Sequence, residues 1–157
     1  MVRLDSPVDR RDLQILSILV ENSRVSAREI ARRLKLSAGT VQARIKRLEE
    51  LGVIKGYTVS IDLEKLGYVF PVLIDIRASK GKIREVEKYL VSFDNVFAVY
   101  DITGDYDITI IALFKTREEL DDFIKEINEY RYIERTHTKL ILNVIVENKL
   151  SGYLKYD

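Results

Sequence analysis

The residues best placed to do chemistry in this 157-residue chain are cations. Between Arg24 and Arg47 lie Arg24, Arg28, Arg32, Arg33, Lys35, Arg44, Lys46 and Arg47 against one acid, Glu29: a charge of +7 over 24 residues, in a chain whose net charge is +1. Such a density is the footprint of a polyanionic partner, although cation runs also occur as the solvated face of a helix. Within the run stands Gln42, whose amide can pair bidentately with adenine in a major groove, and beside it Gly39 and Ala43, small enough to let a backbone approach a groove floor. A second group is acidic. Asp101, Asp105 and Asp107 share one short segment, and carboxylates clustered in this way could hold Mg²⁺. No phosphate-binding glycine loop, nucleophile–base pair or second acidic cluster accompanies them. His137, the one imidazole, lies between threonines that account for it as a packed strand-edge residue. With no cysteine and one histidine, disulfides, cysteine-ligated zinc and cysteine nucleophiles are excluded by inventory. An enzyme, a bound metal and a resident cofactor are not expected.

These residues need elements to hold them. Asp9 caps a first helix with Leu13, Ile15, Leu16, Leu19 and Val20 at three- and four-residue steps, ending near Glu21 and Asn22. Ser26, followed three residues later by Glu29, is a capping-box start for a short second helix with Ile30, Ala31 and Leu34 inward and Arg28, Arg32 and Arg33 largely outward. After a turn at Lys35-Leu36, Ser37 caps a third helix with Val41, Ile45 and Leu48 as its core stripe and Gly52 as a left-handed cap. Two short helices joined by a tight turn, the second amphipathic and basic, let one helix brace a DNA backbone while the next enters the major groove. Rotating the third helix about 100° per residue puts Gly39, Gln42, Ala43 and Lys46 outward, with Thr40 and Arg47 at the margin. Gln42 is read as the base contact. Arg28, Arg32, Arg33, Arg44 and Lys46 are read as phosphate contacts, which fix register without reading sequence. The helix-turn-helix spans about 27–46, and Ser37, Ala38, Gly39, Thr40, Gln42, Ala43, Arg44, Lys46 and Arg47 complete its expected DNA-binding set. Beyond Gly52 the alternation Val53, Lys55, Tyr57, Val59, Ile61 predicts a strand, and so a winged helix.

The remainder has another charge and another period. Residues 1–62 carry 12 Lys/Arg and 8 Asp/Glu, whereas 63–157 carry 14 and 17. The expected division is therefore a winged helix-turn-helix domain at 1–62, a linker at 63–67 and a second domain at 68–157. In the second, 68–78 reads as a buried strand that Pro71 pushes toward an edge or bulge, and 82–90 as a helix. Residues 96–102 and 106–114 read as strands joined by a hairpin turn at Thr103-Gly104-Asp105. Thr116 and Glu119 form a capping box for a helix burying Leu120, Phe123, Ile124 and Ile127, and 138–146 closes as a strand. The order β-α-β-β-α-β is the ferredoxin-like split topology, so the fold class is α+β. Because the strands read as apolar on both faces, a second subunit is expected to cover the face the helices leave bare.

This two-part plan resembles the Lrp/AsnC, or feast/famine, family of transcription regulators. The resemblance is carried by DRRDLQILSILVENSRVSAREIARRLKLSAGTVQARIKRLEELGVIKGYTVSID, by ITGDYDITI around the GDYD turn, and by THT near the last strand. It implies a ligand-binding second domain of the RAM type, a homodimer joined through that domain and assembled into octamers or higher forms, and double-stranded DNA as partner. It also implies a free amino acid as effector, held between neighbouring dimers. Carried over position by position, the effector residues are Asp101, Ile102, Thr103, Gly104, Asp105, Tyr106 and Asp107 of the hairpin, Asp121 and Lys125 of the last helix, and Thr136, His137 and Thr138. Turn amides and the Thr136 and Thr138 hydroxyls suit an α-carboxylate, and Asp101 or Asp105 an α-ammonium group. Lys125 at the ligand side chain implies an acidic or amide amino acid rather than a basic one. The rival readings are an amino-acid sensor acting on a protein partner and a Mg²⁺-dependent enzyme. No transmembrane or signal segment is expected, and the expected compartment is the cytoplasm.

Overall fold

Each helix of the amino-terminal half starts at a short polar side chain that satisfies an otherwise orphaned backbone amide. The Asp9 carboxylate accepts from the Asp12 amide (2.9 Å) and the Asp12 carboxylate from the Asp9 amide (3.0 Å), a reciprocal cap that opens α1 (Arg10–Glu21). Ser26 opens α2 (Ala27–Leu34) by accepting from Glu29 N–H. Only half of the expected box forms there, because the Glu29 carboxylate turns to Arg32 and Arg33 instead of back to Ser26. Lys35 ends α2 in the left-handed region (φ 54°, ψ 49°), and Ser37 then caps α3 (Ala38–Glu50) through Thr40 N–H. Ile15 and Leu19 of α1, Ile30 and Ala31 of α2 and Val41 of α3 make the core, while Val20, expected inward, is 42% exposed.

The structure, a computed structural model, describes residues 7–147, 150 and 152–154; the expected domain ends at 1–6 and 155–157, with 148, 149 and 151, lie outside the described residues. The described residues separate into two units, one formed by those up to Ser60 together with those from Val146 onward, the other by Ile61–Ile145.

Gly52 (φ 68°) stops α3. Its amide donates to Glu49 O and the Val53 amide to Leu48 O, both at 2.9 Å, the paired closure that a left-handed residue makes at a helix end. The strand expected from Val53 to Ile61 does not form. A strand requires a neighbour for its N–H and C=O groups, none of the described residues supplies one, and Tyr57, Val59 and Ile61 stand 53–74% exposed.

In the second unit β1 (Phe70–Ala78), β2 (Val96–Asp101), β3 (Ile108–Phe114) and β4 (Ile133–Leu140) form one antiparallel sheet in the order β2-β3-β1-β4. Helices α4 (Ile83–Val91) and α5 (Arg117–Glu129) supply Val86, Leu90, Phe123 and Ile127 to a core with Val72, Ile74, Ile76, Ile108, Ile110 and Phe114. This is the ferredoxin-like arrangement, and Thr116 and Glu119 form their reciprocal box at the start of α5.

Three expectations change here. Pro71 lies in an interior strand, not at an edge. Leu113 opposite it donates to Asn95, and the Pro71 carbonyl accepts from Ile141, so the missing N–H faces the side where β4 has already ended at Leu140. The last strand is Ile133–Leu140 rather than 138–146, so Thr136, His137 and Thr138 lie inside it, and the apolar run after it carries Leu142 and Ile145 at 81% and 90% exposure. The shift also alters the face the helices leave bare. Its rows, in register across the sheet, are Pro71 with Leu113; Ala98, Ile111, Leu73 and Lys139; Tyr100, Thr109, Asp75 and His137; and Arg77 with Arg135. That face is apolar at one end and ionic at the other, not apolar throughout.

Candidate nucleic-acid interface and ligand-binding residues

The outer side of α3 is open. Gly39, Thr40, Gln42, Ala43 and Lys46 are exposed, and Ala38 is half-buried against the core. Ser37 is committed as the cap, its hydroxyl also 2.8 Å from that of Thr40. Behind this surface lies a residue the sequence reading passed over. Asp12 is fully buried, and its carboxylate receives Arg44 Nη1 at 2.8 Å on one oxygen and Arg47 Nη1 at 2.9 Å on the other, as well as the Asp9 amide. Arg44 also donates to Asp9 at 2.7 Å, and Arg47 to the carbonyl of Pro7. Burial pushes the Asp9 carboxyl up, but the hydrogen bonds from Arg44 and the Asp12 amide outweigh it and hold the group below the usual carboxylate range. A signal for Asp12 existed: it falls with Ile15 and Leu19 on the buried stripe of α1, where an acid needs a cation.

On α2 the pairing is of another kind. Arg32 and Arg33 both reach Glu29 one turn away (2.7–2.9 Å), on a surface open to solvent. Their hydrogen bonds hold the Glu29 carboxyl down at about 2. Arg28 and Lys35 make no ion pair among the described residues, and Lys46 reaches Glu50 only at 3.7 Å.

The hairpin between β2 and β3 is tied by more hydrogen bonds than a three-residue turn requires. Ile102 N–H donates to Asp107 O and Asp107 N–H to Ile76 O, and the Asp107 carboxylate accepts from Ala78 N–H at 2.8 Å. Arg77 donates to the carbonyl of Asp105 at 2.6 Å. Gly104 has φ 125°, a backbone that side chains rarely adopt. Asp107 thus serves its own sheet, while Asp101, Thr103 and Asp105 are exposed.

The three residues of THT part company. His137 is on the bare sheet face, its ring 6.2 Å from Tyr106 and nearly parallel to it, and Arg135 lies 4.9 Å over the other ring of that pair, Tyr106. Thr136 and Thr138 take the alternate face, where Thr136 donates to Asn128 of α5 at 3.0 Å. Asn128 continues the exposed strip on which Lys125 and Asp121 pair one turn apart, so it links the α5 candidates to β4. Sequence reading missed Asn128, which a polar residue one turn beyond Lys125 on the same face could have signalled. The candidates accordingly fall on both sides of the sheet: Tyr106 with His137 on the bare face, and Asp101, Thr136 and Thr138 on the face that carries α5 with Asp121 and Lys125. Among the described residues no three acidic or imidazole groups come together to hold a metal, and no helix is long and apolar enough to cross a membrane.

Three capped helices with an open third helix, followed by a ferredoxin-like domain, define a two-domain DNA-binding transcriptional regulator. A winged helix-turn-helix DNA-binding family matches residues 8–55, and the Lrp/AsnC ligand binding domain matches residues 71–150. The chain belongs to the Lrp/AsnC family. It is 44% identical over 141 residues to an uncharacterized HTH-type transcriptional regulator of Pyrococcus furiosus, covering 90% of this chain and 95% of that one. Among solved structures it is similar to AsnC of E. coli (TM-score 0.88, 26% identity, 93% of this chain and 99% of that one). In fold it also matches a Neisseria meningitidis transcriptional regulator solved as its complex with L-Met (TM-score 0.85, 22% identity, 93% and 99%).

Proposed function

We propose that the chain is a sequence-specific DNA-binding regulator, without catalytic activity, whose DNA binding is tuned by a free amino acid in the cytoplasm. The observation that carries this reading is the open side of α3, where Gly39, Gln42, Ala43 and Lys46 face solvent together. In it Gln42 reads a base edge while Arg28 and Lys46 meet phosphates. The domains divide the labour, the amino-terminal one binding duplex DNA and the carboxy-terminal one binding effector and assembling the protein. A second copy covers the row Ala98, Ile111, Leu73, and such dimers build an octamer or larger form.

The effector pocket is shared between subunits. Supporting this, Tyr106 and His137 of one chain lie on the sheet face opposite Asp121, Lys125 and Thr136, so that one chain does not gather all the carried-over residues into one cavity. The ligand is an acidic or amide amino acid that takes the place of Asp121 at the Lys125 ammonium group. Calorimetric titration with the twenty amino acids tests this, with methionine as the neutral comparator suggested by the Neisseria complex. Tight binding of lysine or arginine rejects it.

Gel shifts on the promoter of its own gene test DNA reading. Gln42→Ala relaxes preference by about 1–3 kcal/mol at one base pair, whereas Arg28→Ala weakens all sequences alike. Identical behaviour of the two variants defeats this division of roles.

A further inference from the structure

We infer that Arg44 and Arg47, two of the three cations on α3, are positioning residues that set how the helix is presented, and that the phosphate-facing charge comes from Arg28, Lys35, Lys46 and the pair Arg32 and Arg33. The inference rests on the reading of α3 as the DNA-contacting helix and assigns its cations differently from their spacing.

The argument is an asymmetry of burial. Both oxygens of Asp12 are occupied, one by Arg44 and one by Arg47, and the residue has no exposed surface. Arg44 swinging away to a phosphate would strand one buried carboxylate oxygen, and Arg47 doing so would leave the other with the Asp9 amide alone and half of a buried charge unpaired, each a far more costly state than an exposed carboxylate returned to water. Glu29 is the contrasting case. Its pairs with Arg32 and Arg33 lie at the surface, with the two arginine side chains 74% and 49% exposed, so a phosphate can take either cation and leave Glu29 solvated. The Asp12 contacts also join segments 32 and 35 residues apart, whereas those of Glu29 stay within one helix. Arg44 and Arg47 therefore fix α3 against the first turn of α1, and the other cations are free to meet a duplex.

The test is the salt dependence of binding by the full chain, read by fluorescence anisotropy on two duplexes: one selected from a random library by the wild-type protein, and one of random sequence. Arg28→Met lowers the slope of log affinity against log salt by about 0.9, the share of one phosphate contact, and keeps the ratio between the duplexes. Arg44→Met and Asp12→Asn leave the slope unchanged and cut that ratio roughly tenfold, the discrimination of about one base contact. Circular dichroism at the assay temperature confirms that each variant is folded, so a role confined to stability would leave the ratio intact. Should Arg44→Met not fold, Arg47→Met, whose side chain is 46% exposed, carries the same comparison. A slope that falls in Arg44→Met or Arg47→Met as it does in Arg28→Met, or an unaltered ratio in the folded variant, overturns the inference. Failure of the wild-type chain to prefer any selected duplex overturns the underlying reading of α3 as well.

Discussion

The carboxylate of Asp107 accepts the amide hydrogen of Ala78 at 2.8 Å, so the residue that closes the hairpin also ends β1. Ala78 is buried, and its register with β4 shifts at the same point. Asp107→Ala leaves that amide without an acceptor and should destabilise the chain by about 1–3 kcal/mol. Asp105→Ala, which alters an exposed side chain and spares the carbonyl that Arg77 uses, should change stability little. Urea unfolding of both variants checks this; equal effects would show that the hairpin is held by something other than the Asp107 side chain.

A buried acid also gives the second domain a pH signature. Burial pushes the Asp75 carboxyl up, but hydrogen bonds from Lys139 and Thr109 and the charges of Lys139 and His137 pull it further down, below its ordinary value. A carboxyl lower in the folded than in the unfolded state stabilises the fold above its unfolded pKa, about 4, and that contribution disappears as pH falls through the lower folded value. Stability should therefore decline on acidification below about pH 5, less steeply in Asp75→Asn. Unfolding midpoints measured from neutral to acid pH in both proteins decide it, and parallel curves would dismiss the contribution.

The surface pairs of α2 make an opposite prediction. With its carboxyl held at about 2, Glu29 stays charged at any physiological pH and competes with DNA for Arg32 and Arg33. Glu29→Gln should keep the Ser26 cap, which uses the Glu29 backbone, and leave the melting temperature nearly unchanged while tightening binding to random duplex severalfold at low salt. Filter binding at two salt concentrations reads this. A variant that binds more weakly would mean that Glu29 orders those arginines for DNA rather than occupying them.

Self-association can be tested at the centre of the bare face. Ile111 stands between Ala98 and Leu73 in register and points away from the helix-covered core. Ile111→Lys should leave the fold intact but place a charge in the patch, shifting sedimentation velocity toward the monomer. An unchanged sedimentation coefficient would assign assembly to another surface.

What could be read from the residues, and what could not, follows from how local each signal is. Asp9, Ser26, Ser37, Thr116 and Gly52 announce helix ends because a cap involves neighbours within one turn, and all five sit at the ends they indicate. The last strand was misplaced because strand identity is decided across the sheet. IERTHTKL is polar on the bare face and lies at an edge, while the apolar residues beyond Ile141 alternate persuasively with no strand to pair with among the described residues. The strand after α3 failed for the same reason. At the candidate sites, the outward side of α3 was legible from helical rotation alone. The Asp12 contacts were not, because they join residues more than thirty apart.

Lys35 adopts a left-handed backbone at the join between α2 and α3, where glycine would do so without strain. A side chain there restricts the conformations of the unfolded chain and removes much of the freedom a glycine joint would have. The joint between the two helices is thus stiffer than glycine would make it, and the angle at which the third is offered is set when the domain folds.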